Sequence, residues 1–394
     1  MSTDYKGVDY YNLDELLSEE EKMVRQTVRD FVNEEVIPVI EMHNQAMTFP
    51  MNLVPKMAEL GMFGPTFPEK YGGMGINNVA YGLMMTELER GDSGMRSFAS
   101  VQSGLVMYPI YEFGSEEHRM KWLPAMAKGE KIGCFGLTEP DYGSNPGGMI
   151  TNAKKVDGGY ILNGAKMWIT NSPICDVAVV WAKLDGVVRG FLVERGSKGF
   201  ETPEMKGKLS LRASITGEII LQDVFVPDEN LLPKTEGLKN PLMCLTQARY
   251  GIAWGVLGSA MECYATALEY ASSRIQFDKP IASYQITQEK LVWMLNEITK
   301  AQMMCYHMGR MKDKGTMKHT HVSMAKRNNC EMALTVCRMA REILGANGIL
   351  DEYPIMRHAN NLESVKTYEG THEMHTLIIG EDITGIPAFR VDYK

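Results

Sequence analysis

The hydrophobic period of this chain changes twice along its length, and that change limits the possible folds more than any single motif does. From about residue 240, three long stretches carry apolar residues at helical spacing: "GIAWGVLGSAMECYATALEYASSRI", "TQEKLVWMLNEITKAQMMCYHMGRMKD" and "SMAKRNNCEMALTVCRMAREILGANGI". Their length and near-continuous apolar character suit a buried antiparallel bundle with a face to share with another subunit. Residues 131–236 read differently. "GGYILNGAKMWITN", "CDVAVVWAKLDGVVRGFLVER" and "GEIILQDVFVPDENLL" are rich in β-branched and aromatic residues. The pairs Asp157-Gly158, Asn163-Gly164 and Asp185-Gly186 predict hairpin turns between them. Up to about residue 130 the period is helical again. Ser18 and Glu21 have capping-box spacing, and Met23/Val24, Thr27/Val28 and Phe31/Val32 follow before Pro38. "SEEHRMKWLPAMAKGE" predicts a second helix, stopped by glycine. The expected architecture is α+β: a helical domain over 1–130, an antiparallel β domain over 131–236 and a helical bundle over 237–394.

A chain of 394 residues with 44% hydrophobic content can bury a large core. Its net charge of -8 and the lack of a basic stripe disfavour a nucleic-acid partner. The acidic opening, "MSTDYKGVDYYNLDELLSEEE", carries neither a signal-peptide nor a transit-peptide pattern. No uncharged apolar run approaches the ~18 residues of a membrane span. The 7 cysteines are scattered and never spaced C-x-x-C, which predicts reduced core thiols in a cytoplasmic compartment and no zinc site. The 30 methionines read chiefly as flexible filler in helix packing.

No G-x-G-x-x-G follows a strand and no Walker A loop occurs, so Rossmann NAD binding and P-loop chemistry are disfavoured. "HEMH" (372–375) lacks the H-E-x-x-H spacing of a zinc helix and reads as helix-surface or packing histidines; "HTH" (319–321) reads as a solvated turn. Three segments carry more. "CFGLTEPDYGSNPGG" (134–148) offers backbone N–H groups and the hydroxyls of Thr138 and Ser144 to a heteroaromatic ring or a phosphate, or is a surface loop. In "KMWITNSP" the period of two puts Trp168 and Thr170 on one strand face, either to flank a flat cofactor or with Trp168 in the core. "ELERGDSGMRSFASVQSG" (87–104) gathers Glu89, Arg90, Asp92 and Arg96. Such a cluster is commonly a solvated helix end. Arg96, however, lies in a run that turns apolar, and a buried Arg needs an anionic partner.

Taken together, "CFGLTEPDYGS", "WITN", "ARYGIAWG", "RIQFDKPI", "LGANGI" and "TYEGTHEMH" occur in the order and spacing of the acyl-CoA dehydrogenase flavoproteins. The resemblance covers essentially the whole chain. Within that family, "ELERGDSGMRS", "SVQS", "GCFGLTEP", "WITNSP" and "NLESVKTYEGTH" look most like the glutaryl-CoA branch. The resemblance implies an N-terminal helical domain, a middle β-barrel-like domain and a C-terminal four-helix bundle. It also implies a homotetramer built as a dimer of dimers, an FAD cofactor, and an electron-transferring flavoprotein as electron acceptor. The flavin-binding segments would be Phe135 to Ser144, including Leu137, Thr138 and Gly143, and the trio Trp168, Ile169 and Thr170. Arg274 and Gln285 would reach the pyrophosphate side, partly across a subunit boundary. Glu342, Gly345 and Ala346 would lie on the adenine side, and Thr371 would touch the cofactor near the base. Arg249, Tyr250 and Ser144 would contact acyl-CoA, and Gly370 would let it approach.

Glu369 matches the family's catalytic base. It would take the pro-R α-proton while a β-hydride passes to the flavin, the thioester oxygen being held by a flavin hydroxyl and the backbone N–H of the base. Arg96 with Ser97, oriented by Glu89 and Tyr368, matches a clamp for the distal carboxylate of glutaryl-CoA. The implied reaction is dehydrogenation to glutaconyl-CoA, then decarboxylation to crotonyl-CoA with the proton returned by Glu369. Alternatives are a butyryl-type substrate, an alkyl- or aryl-succinyl-CoA, or oxidation without decarboxylation. Asp278 departs from the family, which usually has glycine there. Met95, Phe98 and Lys366 lie near the clamp residues in sequence and are candidates to reshape its pocket.

Overall fold

The computed structural model describes residues 7–388; the first six residues of the acidic opening, and any reading placed on them, lie outside the described residues. The N-terminal region is helical: α1 (Glu19–Phe31), α2 (Ile37–Ala46), α3 (Val54–Glu59), α4 (Asn78–Gly91), α5 (Ser93–Ser100), α6 (Tyr108–Phe113) and α7 (Glu116–Ala127). The expected capping box holds α1, with the Glu21 N–H donating to Ser18 Oγ and the Ser18 N–H to Glu21 Oε2. Helix α4 is buried on nearly every side from Val79 to Gly91, so its polar residues must find partners inside the protein. It breaks at Asp92, whose carboxylate accepts from the Gly94 N–H and so starts α5.

The middle region forms one curled sheet from β1 (Gly133–Gly136), β2 (Asn152–Val156), β3 (Gly159–Thr170), β4 (Val177–Leu184), β5 (Val187–Glu194), β6 (Phe200–Glu201) and β7 (Thr216–Pro227). Its order is β1-β4-β2-β3-β7-β6, with β5 on the other side of β4. The hairpins and the long β3–β7 pair are antiparallel as expected, but β1 and β2 run parallel to β4. Two of the three Gly-containing pairs make the predicted turns. Asp185 (φ 51) and Gly186 (φ 81) form a primed turn between β4 and β5, and Asp157-Gly158 closes β2 onto β3. The third does not. Asn163-Gly164 lies inside β3, where the pairing with β7 shifts register. Gly164 sits at φ 148 and a Cβ there would fall 2.4 Å from Thr151 Oγ1, so the position needs glycine, while the Asn163 amide pairs with Asp223 across the bulge.

The C-terminal region contains α8 (Lys239–Ser273), a short hairpin β8 (Ile275–Gln276) and β9 (Lys279–Pro280), then α9 (Gln285–Asp313), α10 (His319–Ile343), α11 (Ile355–Thr367) and α12 (His372–Thr384). The "HTH" triplet opens α10 instead of forming a turn. Asp278 sits at φ 66 in the β8–β9 turn, which explains why glycine suits that position. The N-terminal helices and the bundle share one apolar core, and the sheet encloses a second. All seven cysteines are free and buried. Among the described residues no helix is long and apolar enough to cross a membrane.

Candidate active site

The site forms where α5, α8, α10 and the turn between α11 and α12 meet. That turn carries Tyr368, Glu369 and Gly370. Glu369 is held at φ 53 and Gly370 at φ 94, both left-handed. A Cβ on Gly370 would lie 3.0 Å from His375 Nε2 and 3.2 Å from Arg249 Nη2. The glycine is thus explained by its conformation and these neighbours, and the space beside it is already filled. Glu369 Oε2 is shut off from solvent and has no protein partner. Burial raises the Glu369 pKa, against the opposing pull of Arg96, Lys326 and Arg249.

The charges of "ELERGDSGMRS" are not a solvated helix end. Glu89, Arg90, Asp92 and Arg96 are all 1% exposed or less. Arg96 Nε donates to Glu89 Oε2 at 2.6 Å, its Nη2 donates to the Tyr368 hydroxyl, and Ser93 Oγ donates to Glu89 Oε1 at 2.9 Å. Ser97 Oγ lies 3.4 Å from the Tyr368 hydroxyl. Burial works against the Arg96 charge, but Glu89 and Tyr368 outweigh it and its pKa ends above the ordinary value. Arg96 Nη1 makes no hydrogen bond among the described residues, so part of the guanidinium fork remains free. Asp92 ties this helix to the one that leads into Glu369: its carboxylate accepts from Arg357 Nη1 at 2.7 Å and Asn361 Nδ2 at 2.9 Å, both on α11.

Gly255, on α8, was not among the sequence candidates. A Cβ there would fall 2.2 Å from Glu89 Oε2 and 3.1 Å from Arg96 Nε. Gly251, Gly255 and Gly258 recur at helical spacing, and that stripe is the sequence signal for a close approach of α8 to α4 and α5. Lys326 was also missed: no motif marks it, yet it is 1% exposed and donates to two carbonyls of the turn that carries Glu369. Conversely, Met95 and Phe98 are core residues, with Phe98 stacked on Phe49 at 4.7 Å. Lys366 pairs with Glu331.

The remaining candidates fall into three places. Arg249 joins Glu369, its Nε donating to the Glu369 carbonyl at 2.6 Å. Tyr250, by contrast, is fully buried, donates its hydroxyl to the Asn78 carbonyl and packs on Tyr81, so it belongs to the core. Thr371 caps α12, accepting from the Met374 N–H. The two β segments adjoin each other: the Met167 N–H donates to the Thr138 carbonyl, and buried Lys166 donates to the Leu137 carbonyl and Glu139. Phe135 and Leu137 turn their side chains into the core. Gly143 and Ser144 are exposed, and Thr138 is half-buried. Trp168 is not a core residue: it is 60% exposed at φ 64, beside half-buried Thr170 and buried Ile169. A large aromatic held open at a strained position fits a face for a flat ring system such as a flavin.

Arg274, Gln285, Glu342, Gly345 and Ala346 lie elsewhere, at or near a cleft of about 360 Å³ between the α8–α9 connection and the end of α10. Arg249 and Arg274 are on or at the end of the same helix, α8, so about 37 Å of helix separates Arg274 from Arg249 beside Glu369. Among the described residues no cluster of three or more His, Cys, Asp or Glu is placed to hold a metal.

The chain matches three family models: acyl-CoA dehydrogenase N-terminal domain over residues 18–130, middle domain over 134–224 and C-terminal domain over 235–384. It is 34% identical to the rat short-chain specific acyl-CoA dehydrogenase of mitochondria, over 92% of this chain and 90% of the relative. Two structures of glutaryl-CoA dehydrogenase from Mycobacterium smegmatis each superpose with a TM-score of 0.96 over 98% of this chain and 100% of theirs. Their identities are 50% and 48%, and the second is a complex with FADH2. The chain belongs to the acyl-CoA dehydrogenase family of flavin-dependent oxidoreductases.

Proposed function

We propose that this protein dehydrogenates glutaryl-CoA at the α,β-bond and decarboxylates the product to crotonyl-CoA. The observation that carries this reading is the buried Arg96 fork, anchored by Glu89 and Tyr368 and retaining an unspent Nη1 beside the base. An alkyl tail has no use for a buried guanidinium, whereas a distal carboxylate buried without such a partner would cost several kcal/mol. Arg96 and Ser97 hold that carboxylate, while Glu89 and Tyr368 orient the fork. Glu369, ionised in a dry site, takes the α-proton, and as a carboxylic acid it returns a proton after loss of carbon dioxide. Arg249 fixes the backbone of the base.

FAD, when bound, supplies the acceptor for the β-hydride. Trp168, Thr170, Thr138 and Ser144 would hold it on the base side, with the backbone of Phe135, Leu137, Gly143 and Ile169, and Thr371 close by. Arg274 stands about 37 Å along α8 from Arg249, and in this reading a second copy presents Arg274, Gln285, Glu342, Gly345 and Ala346 to the cofactor. This supports a homotetramer built as a dimer of dimers. The electron acceptor is an electron-transferring flavoprotein, and free buried thiols support a cytoplasmic location.

The test is anaerobic mixing with glutaryl-CoA, following the flavin spectrum and identifying the product by mass. Bleaching with crotonyl-CoA supports the whole reading. Bleaching with glutaconyl-CoA keeps the clamp and removes decarboxylation. Arg96→Ala should abolish activity on glutaryl-CoA and spare butyryl-CoA. Equal loss on both would favour the short-chain reading over the clamp.

A further inference from the structure

The turn that carries the base presents three successive carbonyl oxygens to the bundle, and a buried cation takes each one. Lys326 Nζ donates to the Tyr368 carbonyl at 2.6 Å and to the Gly370 carbonyl at 2.7 Å, and Arg249 Nε donates to the Glu369 carbonyl between them at 2.6 Å. Lys326 comes from α10 and has no carboxylate within ion-pair distance among the described residues. Burial therefore lowers its pKa to about 8, Cys330 and Glu369 opposing the fall. An ammonium in so dry a place is costly, and a surface lysine could not make these bonds.

The consequence lies on the other side of the peptide. The described residues contain no cis peptide, so the C=O of Tyr368 and the N–H of Glu369 point in opposite directions. With the oxygen anchored on Lys326, the Glu369 N–H is turned away from α10. It makes no hydrogen bond with any described residue. The left-handed conformation of Glu369 is unfavourable for a residue with a Cβ, and bonds on both flanking carbonyls hold it there.

We propose that Lys326 is a positioning residue that aims the Glu369 backbone N–H at the thioester oxygen of the acyl-CoA. Base and donor then face the same substrate unit. As the α C–H bond breaks, the proton passes to the Glu369 carboxylate. The electron pair moves into a double bond between the α-carbon and the carbonyl carbon, leaving negative charge on the thioester oxygen. The N–H meets that charge, and a donor so placed is stronger in the transition state than in the ground state. This inference rests on the acyl-CoA reading above.

The experiment compares wild type, Lys326→Met and Lys326→Gln as flavin-loaded enzymes. It measures kcat and KM, deuterium uptake at the α-carbon of bound acyl-CoA in heavy water, and the infrared carbonyl band of bound, carbonyl-13C-labelled acyl-CoA. In wild type the band should lie below that of the free thioester. In Lys326→Met the displacement should largely vanish, with kcat down roughly 10- to 100-fold and KM changed far less. Lys326→Gln keeps one donor on a shorter stem and should fall between; it carries the test if the methionine variant does not fold. Variants with the wild-type band and kcat would overturn the role of Lys326 alone. A wild-type enzyme with neither deuterium uptake nor a displaced band would overturn the acyl-CoA reading with it.

Discussion

At the scale of residues, the site is a set of charges that the protein keeps dry, and each has a measurable consequence. As the proposed base, Glu369 would act only when ionised, and burial raises its pKa, so the acid limb of kcat/KM should lie above the usual glutamate range. The sign for stability is opposite. A carboxyl whose folded pKa is raised favours the fold below its unfolded pKa, and that contribution is lost as pH rises through the folded value. Glu369→Gln should therefore lose about 10²- to 10⁴-fold in activity yet melt above wild type at neutral pH, the difference closing in acid. A melting temperature below wild type at neutral pH would contradict this account. Gly255 gives a second residue-scale outcome. Gly255→Ala puts a methyl group 2.2 Å from Glu89 Oε2, so the Arg96–Glu89 pair must shift. Turnover of glutaryl-CoA should fall at least about tenfold with butyryl-CoA nearly unchanged, since one displaced charge pair costs more than ~1.4 kcal/mol. Unchanged steady-state rates on glutaryl-CoA would show that the clamp has room to spare.

At the scale of elements, the proposed clamp sits on α5 and the proposed base on the turn after α11, and Asp92 is the joint between those two helices. It caps α5, which carries Arg96, and it accepts from Arg357 and Asn361 of α11, which leads into Glu369. Asp92→Ala removes the cap and leaves the buried Arg357 with only Glu41 and the Gly91 carbonyl. Breaking a buried pair on one side typically costs about 3–5 kcal/mol. Thermal unfolding should show a loss of that order, and Asp92→Asn, which keeps a cap, should lose less. The capping box of α1 and two hairpin turns were legible because they are local: a few consecutive residues satisfy their own backbone. Asn163-Gly164 misled for the same reason. Its sequence is that of a turn, but Thr151 and Asp223 lie distant along the chain, and they make it a bulge.

At the scale of the whole molecule, Arg274, Gln285 and Glu342 lie toward the end of α8 remote from Arg249 and Glu369. If a second copy completes the cofactor site, flavin retention depends on assembly. Light scattering should report four subunits. Dilution or mild chaotrope that separates them should release FAD before the helices unfold, as seen by flavin fluorescence against far-UV circular dichroism. A monomer that retains its flavin would refute a shared site. The exposed apolar residues of α9, Ile286 and Val292 among them, are the surface such an assembly would cover.

The sequence by itself determined the order helix–sheet–helix, because hydrophobic period is written residue by residue and needs no knowledge of the fold. It determined the family as well, and with it the candidates Glu369 and Arg96, since several separated motifs agree in order and spacing. It did not determine which charges are buried. Apart from Arg96, the charges of "ELERGDSGMRS" read as a solvated helix end until α4 is found enclosed by α1 and α8. Nor did it reveal Lys326 or the space that Gly255 leaves. Those depend on how closely three helices approach one another and on which way a single peptide group faces. Only tertiary packing fixes both, because a desolvated charge takes its value from atoms that are neighbours in space and strangers in sequence.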